Sequence, residues 1–233
     1  MEMDKFANKK VGIMGGAFNP FHNGHLRHAI EIAEELDLDA IDLLVSFNHP
    51  QKEGLLPFEL RIQCIEKSVH GLDFIHINRI EENICGPSYT DVILYEWKKA
   101  YPHAIPYFLM GIEDFKALPT WHNGLSLHTA ANLVVVARLG KTAQDFYQIA
   151  KSYWDGCFIQ EENSSLPLAK QKKVKLFLDD TCICTFINIP TLNIDATSIR
   201  KLWATKRNIK GLVHDDAITL LARQEEIVKK YWK

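Results

Sequence analysis

The sequence is short of most features that would send a chain through a membrane, out of the cell or onto nucleic acid. No apolar run is long enough for a secretory core or a transmembrane span, since only a brief apolar stretch separates MEMDKFANKK from Gly15 and Gly16. A cytoplasmic protein is therefore expected. Positive charge is not in excess either: 27 Lys and Arg stand against 29 Asp and Glu, a net charge of -2. Without a general electrostatic field for DNA, RNA or an acidic membrane, any bound anion must be held by a local site. Cysteines are few and follow no ligand pattern. Cys64, Cys85, Cys157, Cys182 and Cys184 make an odd count without a CxxC pair, which argues against a disulfide framework or structural zinc. They read as small buried hydrophobes, with Cys182 and Cys184 on one face of a strand. Internal repeats and an interdomain linker are missing too.

The chain has 233 residues, 47% hydrophobic and 24% charged, the mix of an ordinary globular protein. Short apolar runs begin at Val11, Ile41, Phe74, Ile105, Asn132 and Cys182, and helical spacing recurs between them at His25 to Leu36, Phe58 to Val69 and Tyr89 to Trp97. Near-continuous apolar strands alternating with amphipathic helices predict an α/β, Rossmann-like, doubly wound parallel sheet. Asp215 to Tyr231 is acidic at its start and carries Lys229 and Lys230 in its last turn, which predicts one closing helix. From Lys141 to Asp180 the pattern is least legible: QDFYQIAKSYW reads as helix and ENSSLPLAKQKK as a polar loop. A single domain over 1–233 is expected, with a core of about 9–205 and a C-terminal helical part of about 206–233.

GGAFNPFHNGHL, from Gly15 to Leu26, follows the first strand directly and opens the first helix. In an open parallel sheet, ligands sit at the carboxyl ends of strands, where a helix N-terminus offers unpaired N–H groups to phosphate. Gly15, Gly16 and Gly24 permit close backbone approach, and His22 and His25 can donate hydrogen bonds to phosphate oxygens whose charge grows in a transition state. His22, His25 and His28 also form an i, i+3, i+6 series, but no HExxH or cysteine set accompanies it, so no fixed metal site is expected.

The full string resembles GGxFxPxHxGHL, the signature of bacterial nicotinate mononucleotide adenylyltransferases in the HxGH nucleotidyltransferase superfamily. NIDATSIR, at 193 to 200, is similar to the family's second signature, I-S-[ST/A]-T-x-[IV]-R. That resemblance implies ATP held by Gly15, Gly16, Ala17, Phe18, His22 and His25 on one side, and by Ile194, Thr197 and Arg200 on the other. His22, His25, Thr197 and Arg200 would be the catalytic groups, with Thr197 capping its helix and Arg200 one turn on. Asp195 stands where the family usually has serine, and either caps the backbone or helps to hold Mg²⁺ arriving with ATP.

The remaining matches lie between the two signatures. MGIEDF resembles the family's IGxD segment, which implies that Gly111 and Asp114 meet the ATP ribose. GPSYTDVIL is similar to GPSYTxxTL, and LPTWHNG to F-x-x-W, which implies a nicotinate mononucleotide site at Ser88, Tyr89, Thr90, Trp121 and His122. Arg61 and Arg138 fall on family arginine positions, Arg138 being assigned to the acceptor phosphate, and Lys52 belongs to the acceptor side. HPQK (His49 to Lys52) replaces the family's PPH[KR], Arg138-Leu139-Gly140 replaces Arg-Pro-Gly, and Ile84 replaces an arginine. The implied reaction is AMP transfer from ATP to nicotinate mononucleotide, giving nicotinate adenine dinucleotide and diphosphate. Rival readings are transfer to nicotinamide mononucleotide or phosphopantetheine, and a nucleotide-binding regulator without chemistry. The expected partners are small molecules, with a homo-oligomer left open.

Overall fold

The computed structural model describes residues 4–47, 54–137, 140–163 and 173–232. The first half runs β1 (Lys10–Gly16), α1 (Asn23–Leu36), β2 (Ala40–Val45), α2 (Phe58–Val69), β3 (Ile75–Asn78) and α3 (Thr90–Ala100). It continues through β4 (Ile105–Gly111), α4 (Ile112–Ala117), β5 (Asn132–Val136), α5 (Ala143–Lys151), β6 (Phe158–Glu162), β7 (Lys173–Leu178) and β8 (Thr181–Ile187). The end is helical: α6 (Ala196–Ala204), α7 (Asp215–Arg223) and α8 (Glu225–Tyr231).

The strands form one sheet in the order β3-β2-β1-β4-β5-β8-β7-β6. From β3 to β8 the pairings are parallel. Side chains alternate between faces, as a period of two demands. Val11, Ile13, Phe108, Met110, Leu133, Val135 and Phe186 enter a core that also holds Trp97, Phe115 and Phe146 from the helices on that face. Leu43, Val45, Leu109, Val134 and Val136 enter the opposite core with Ile32, Ile62 and Ile65. Both faces are covered, which explains why these strands read as unbroken apolar runs. Strand order reverses between β1 and β4, so the switch point lies where the Gly15–Gly16 turn and Gly111 end adjacent strands.

One buried carboxylate sits among the apolar groups. Asp42, on β2, accepts hydrogen bonds from Trp97 Nε1 at 2.7 Å and Asn78 Nδ2 at 2.6 Å, which ties α3 and β3 to the sheet. Burial pushes its pKa up despite those two donors.

The expected Rossmann-like, doubly wound α/β sheet is present, and two features were not expected. The sheet is not wholly parallel, because β7 pairs antiparallel with β8 and β6 antiparallel with β7. Val174 and Leu176 are buried while Lys173 and Lys175 flank them on the other face, so lysines mask a period-two strand. The stretch between β6 and β7 lies largely outside the described residues. The closing helix is also divided: Gln224 has φ -106 and ψ 25, outside the helical range, and separates α7 from α8. With that break, Val228 and Trp232 join Leu56, Leu60, Ile199 and Leu221 in a third buried cluster. Among the cysteines, Cys64, Cys157 and Cys184 are buried as expected, whereas Cys85 is exposed and Cys182 half-buried.

Candidate active site

The turn from β1 into α1 is shaped by glycine and by one left-handed residue. Phe18 has φ 46 and is buried, its ring packed edge-on against Phe21 and His25. A Cβ on Gly16 would lie 2.9 Å from that ring, so glycine is needed where the chain doubles back. Gly15, by contrast, would meet nothing within 4 Å. Arg61, fully buried on α2, holds the turn from behind: its Nη1 donates to Ala17 O at 2.7 Å and its Nε to Leu56 O at 3.0 Å. Burial lowers its pKa, opposed by the Glu81 charge. Arg61 is therefore a backbone support.

His22 caps α1 in an unusual way. Its Nδ1 accepts the His25 N–H at 3.3 Å, while His25 Nδ1 accepts the His22 N–H at 3.3 Å, satisfying two helix-end donors reciprocally. The rings stack 3.6 Å apart at 17°. With both Nδ1 atoms accepting, each neutral imidazole carries its proton on Nε2, the tautomer that can donate to an anion. A Cβ on Gly24 would come within 3.0 Å of His22 Nδ1 and 3.5 Å of Ile194 Cβ. This glycine thus lets the histidine ring lie flat and brings the second signature against the first.

At the second signature, Asp195 rather than Thr197 caps the helix. Its Oδ1 accepts the Ser198 N–H at 2.8 Å and its Oδ2 the Ser198 hydroxyl at 2.7 Å. The Ser198 hydroxyl, then its N–H, hold the Asp195 pKa below the ordinary carboxylate value. Of the two roles left open for Asp195, capping is the one observed. Thr197 sits inside the first turn, where its hydroxyl accepts from Arg200 Nη2 at 3.1 Å. Arg200 Nη1 reaches back to Asn19 O, 3.0 Å away and 181 positions earlier in the chain. Burial lowers the Arg200 pKa.

The two turns therefore meet, but their side chains divide between two spaces that share the first turn of α6. His22, His25, Lys141, Asn193, Asp195 and Ala196 line a cavity of about 540 Å³. Thr197 and Arg200 open onto a second groove, of about 480 Å³. A third space of about 250 Å³ lies at the switch point, between Gly15 on β1 and Gly111 on β4, with His28, Glu113 and Asp114 on its rim. There the Asp114 carboxylate accepts the Gly111 N–H at 3.3 Å.

In the segment expected to meet the acceptor, Tyr89 precedes α3 and Thr90 begins it. Tyr89 is 46% exposed and stacks on His122 with centroids 4.6 Å apart at 14°. Asp91 fixes the ring: its Oδ2 accepts from His122 Nδ1 at 2.9 Å and from Asn123 Nδ2 at 2.8 Å. Burial raises the Asp91 pKa, but the Asn123 and His122 hydrogen bonds outweigh it and hold the group below its ordinary value. Trp121 is half-buried and packs against the core, so the exposed aromatic surface here is the Tyr89–His122 pair. Ser88 is hydrogen-bonded to Glu81, whose pKa is pushed up by burial. Lys52 and Arg138 lie outside the described residues, as does the HPQK segment.

Several residues escaped the reading of the sequence. Asn19 joins Arg200, the Leu56 N–H, Gly54 O and Trp232, and its place inside the first signature was the available signal. Asp91 and Asn123 adjoin residues that were singled out. Glu113 lies within the MGIEDF segment, whereas Lys141 and Glu81 carried no local signal.

Known proteins share this chain's sequence pattern and fold. Residues 13–202 match the family described as cytidylyltransferase-like. A relative from Syntrophotalea carbinolica, named "probable nicotinate-nucleotide adenylyltransferase", is 31% identical over 88% of this chain and 90% of its own length. A Shewanella relative of the same name is 36% identical over 84% and 88% respectively. Among solved structures, Plasmodium falciparum nicotinic acid mononucleotide adenylyltransferase complexed with NaAD superposes with a TM-score of 0.69 at 18% identity, covering 94% of this chain and 97% of that one. The shared fold, the two joined signatures and the identity along most of its length assign this chain to the cytidylyltransferase-like family, among the nicotinate-nucleotide adenylyltransferases.

Proposed function

We propose that this protein transfers AMP from ATP to nicotinate mononucleotide, giving nicotinate adenine dinucleotide and diphosphate, a reaction of NAD biosynthesis. The observation that carries this reading is the junction of two distant turns. Gly24 abuts Ile194 and Arg200 bonds Asn19 O, so the His22–His25 pair and the α6 N-terminus flank one polar cavity.

An oxygen of the acceptor phosphate attacks the α-phosphorus of ATP as the bond to the bridging oxygen of diphosphate breaks. Because the nucleophile is already an anion, no general base is required, and the protein's work is alignment and charge neutralisation. His22 and His25 present Nε2–H to the oxygens of the transferring phosphoryl group, while Arg200 and the Thr197 hydroxyl act on the phosphates beyond it. Gly15, Gly16, Ala17 and Phe18 supply approachable backbone, Gly111 and Asp114 the ribose side, and Ile194 a wall beside the histidines. Ser88, Tyr89, Thr90, Trp121 and His122 form the pyridine side, with Arg138 and Lys52 assigned to the acceptor.

No group of three His, Cys, Asp or Glu side chains converges as a metal site among the described residues, and both Asp195 oxygens already accept from Ser198. Mg²⁺ would arrive with the triphosphate as part of the substrate, where it would offset phosphate charge. The proposed unit is one nucleotidyltransferase domain over 1–233, working in the cytoplasm. No described helix is long and apolar enough to cross a membrane.

Diphosphate release from ATP, measured with nicotinate mononucleotide, its amide and phosphopantetheine in parallel, tests this. The acid mononucleotide is expected to give the highest kcat/KM. ATP binding without release under any acceptor would favour the regulator, and preference for phosphopantetheine would refute the pyridine site.

A further inference from the structure

The groove that Thr197 and Arg200 face also takes in Lys201 of α6, and is completed by the end of the chain through Lys230 and Tyr231 of α8. Its charge has one sign: Arg200, Lys201 and Lys230 are the charged residues of the lining, without a carboxylate among the described residues. The two lysines of α8 differ. Lys229 is paired with Glu225 at 3.0 Å and Glu226 at 3.3 Å on its own helix, whereas among the described residues no carboxylate lies within 4.0 Å of Lys230 or Lys201.

The groove is fixed in place from several directions. Trp232 is buried, packs edge-on against Trp203, and donates Nε1–H to Asn19 Oδ1 at 3.2 Å. Asn19 Nδ2 donates to Gly54 O at 2.9 Å, and Gly54, at φ 71, passes so close to α8 that a Cβ would lie 2.8 Å from Tyr231 O. The residue whose carbonyl anchors Arg200 thus also anchors the chain end that presents Lys230.

We propose that Lys230, together with Lys201 and beside Arg200, holds the diphosphate part of the nucleotide: the β- and γ-phosphates before transfer, inorganic diphosphate after it. This rests on the adenylyl-transfer reading and extends it, since it makes the C-terminal helix part of the substrate site. As the bond from the α-phosphorus to its bridging oxygen breaks, the electron pair stays with diphosphate, and cations lining its site stabilise that added charge.

The test runs the reaction backwards, from nicotinate adenine dinucleotide and magnesium diphosphate to ATP and nicotinate mononucleotide. Lys230→Met keeps the aliphatic stem and removes the charge at an exposed position. The KM for diphosphate should rise about tenfold, as expected for one lost charge-assisted hydrogen bond, with the dinucleotide KM unchanged. Lys230→Arg should restore most of the affinity. Calorimetric titration of the resting enzyme with magnesium diphosphate should show the same weakening without turnover. Unchanged diphosphate KM and binding in the Lys230→Met/Lys201→Met double variant would overturn the proposal, as would absence of diphosphate binding by the wild-type chain. A wild-type enzyme that binds diphosphate through these lysines yet never forms or consumes the dinucleotide would instead refute adenylyl transfer and leave the groove assignment standing.

Discussion

Around His22 and His25, polar groups are fixed by backbone and by packing, whereas around Tyr89 and His122 they fix one another and face solvent. His22 is 6% exposed, its ring set by a reciprocal cap and by Gly24, and the turn before it is braced by Arg61. Tyr89 is 46% exposed and stacks on His122, which is exposed and held by Asp91, itself bonded to Asn123. The difference fits the tasks proposed for the two pairs. Stabilising charge in a transition state needs donors that do not reorganise, while gripping an acceptor ring needs area and a few oriented contacts. A defect in the His22–His25 pair should therefore appear in kcat, and one in the Tyr89–His122 pair in KM.

The largest effect is expected from His25→Ala. Turnover should fall by about two to four orders of magnitude with modest change in ATP affinity, the size associated with a lost transition-state donor. Steady-state kinetics with both substrates varied will check it, and thermal unfolding will separate chemistry from the lost cap. Near-normal kcat in a folded variant would erase the contrast between the two sides.

His122→Ala should act on the other side and less strongly. Removing the ring takes away the Tyr89 stack and one Asp91 partner, so the KM for nicotinate mononucleotide should rise about tenfold, while kcat and the ATP KM stay within about threefold. A comparable fall in kcat would mean that the acceptor side is as tightly coupled to the chemistry as the histidine pair.

What the sequence disclosed follows the same division. The parallel strands were legible because burial on both faces leaves unbroken apolar runs such as NLVVVA, and the first signature because glycine, proline and histidine are all needed within one short turn. β7 was missed because Lys173 and Lys175 alternate with Val174 and Leu176, a half-buried pattern that reads as polar in a lysine-rich stretch. The break at Gln224 carries neither glycine nor proline, and shows only when Val228 and Trp232 are seen to need the third cluster. The meeting of the two signatures was inferable from family likeness. That Thr197 and Arg200 face a different groove from the histidines was not, since it depends on the direction in which α6 leaves its cap.

The smallest effects concern Asp195, and they separate its cap from its charge. Asp195→Ala removes the acceptor for Ser198 and should cost about 0.5–1 kcal/mol at pH 7, the lower part of the range for N-caps because the site is exposed. The folded-state pKa of this carboxylate is depressed below its ordinary 3.8, so its stabilisation is whole above that pH and lost as pH falls through the folded value. Denaturant midpoints of wild type and Asp195→Ala should therefore differ between pH 5 and 7 and converge below about pH 3.8. Asp195→Ser keeps a capping oxygen but removes a negative charge from the cavity that holds His22 and His25. Its stability should match wild type within a few tenths of a kcal/mol, while the KM for ATP should fall about two- to fivefold at low salt, an effect that added salt diminishes. An unchanged ATP KM at every salt concentration would place the Asp195 charge outside the reach of the phosphates, and the nucleotide side would then be defined by its histidines and backbone alone.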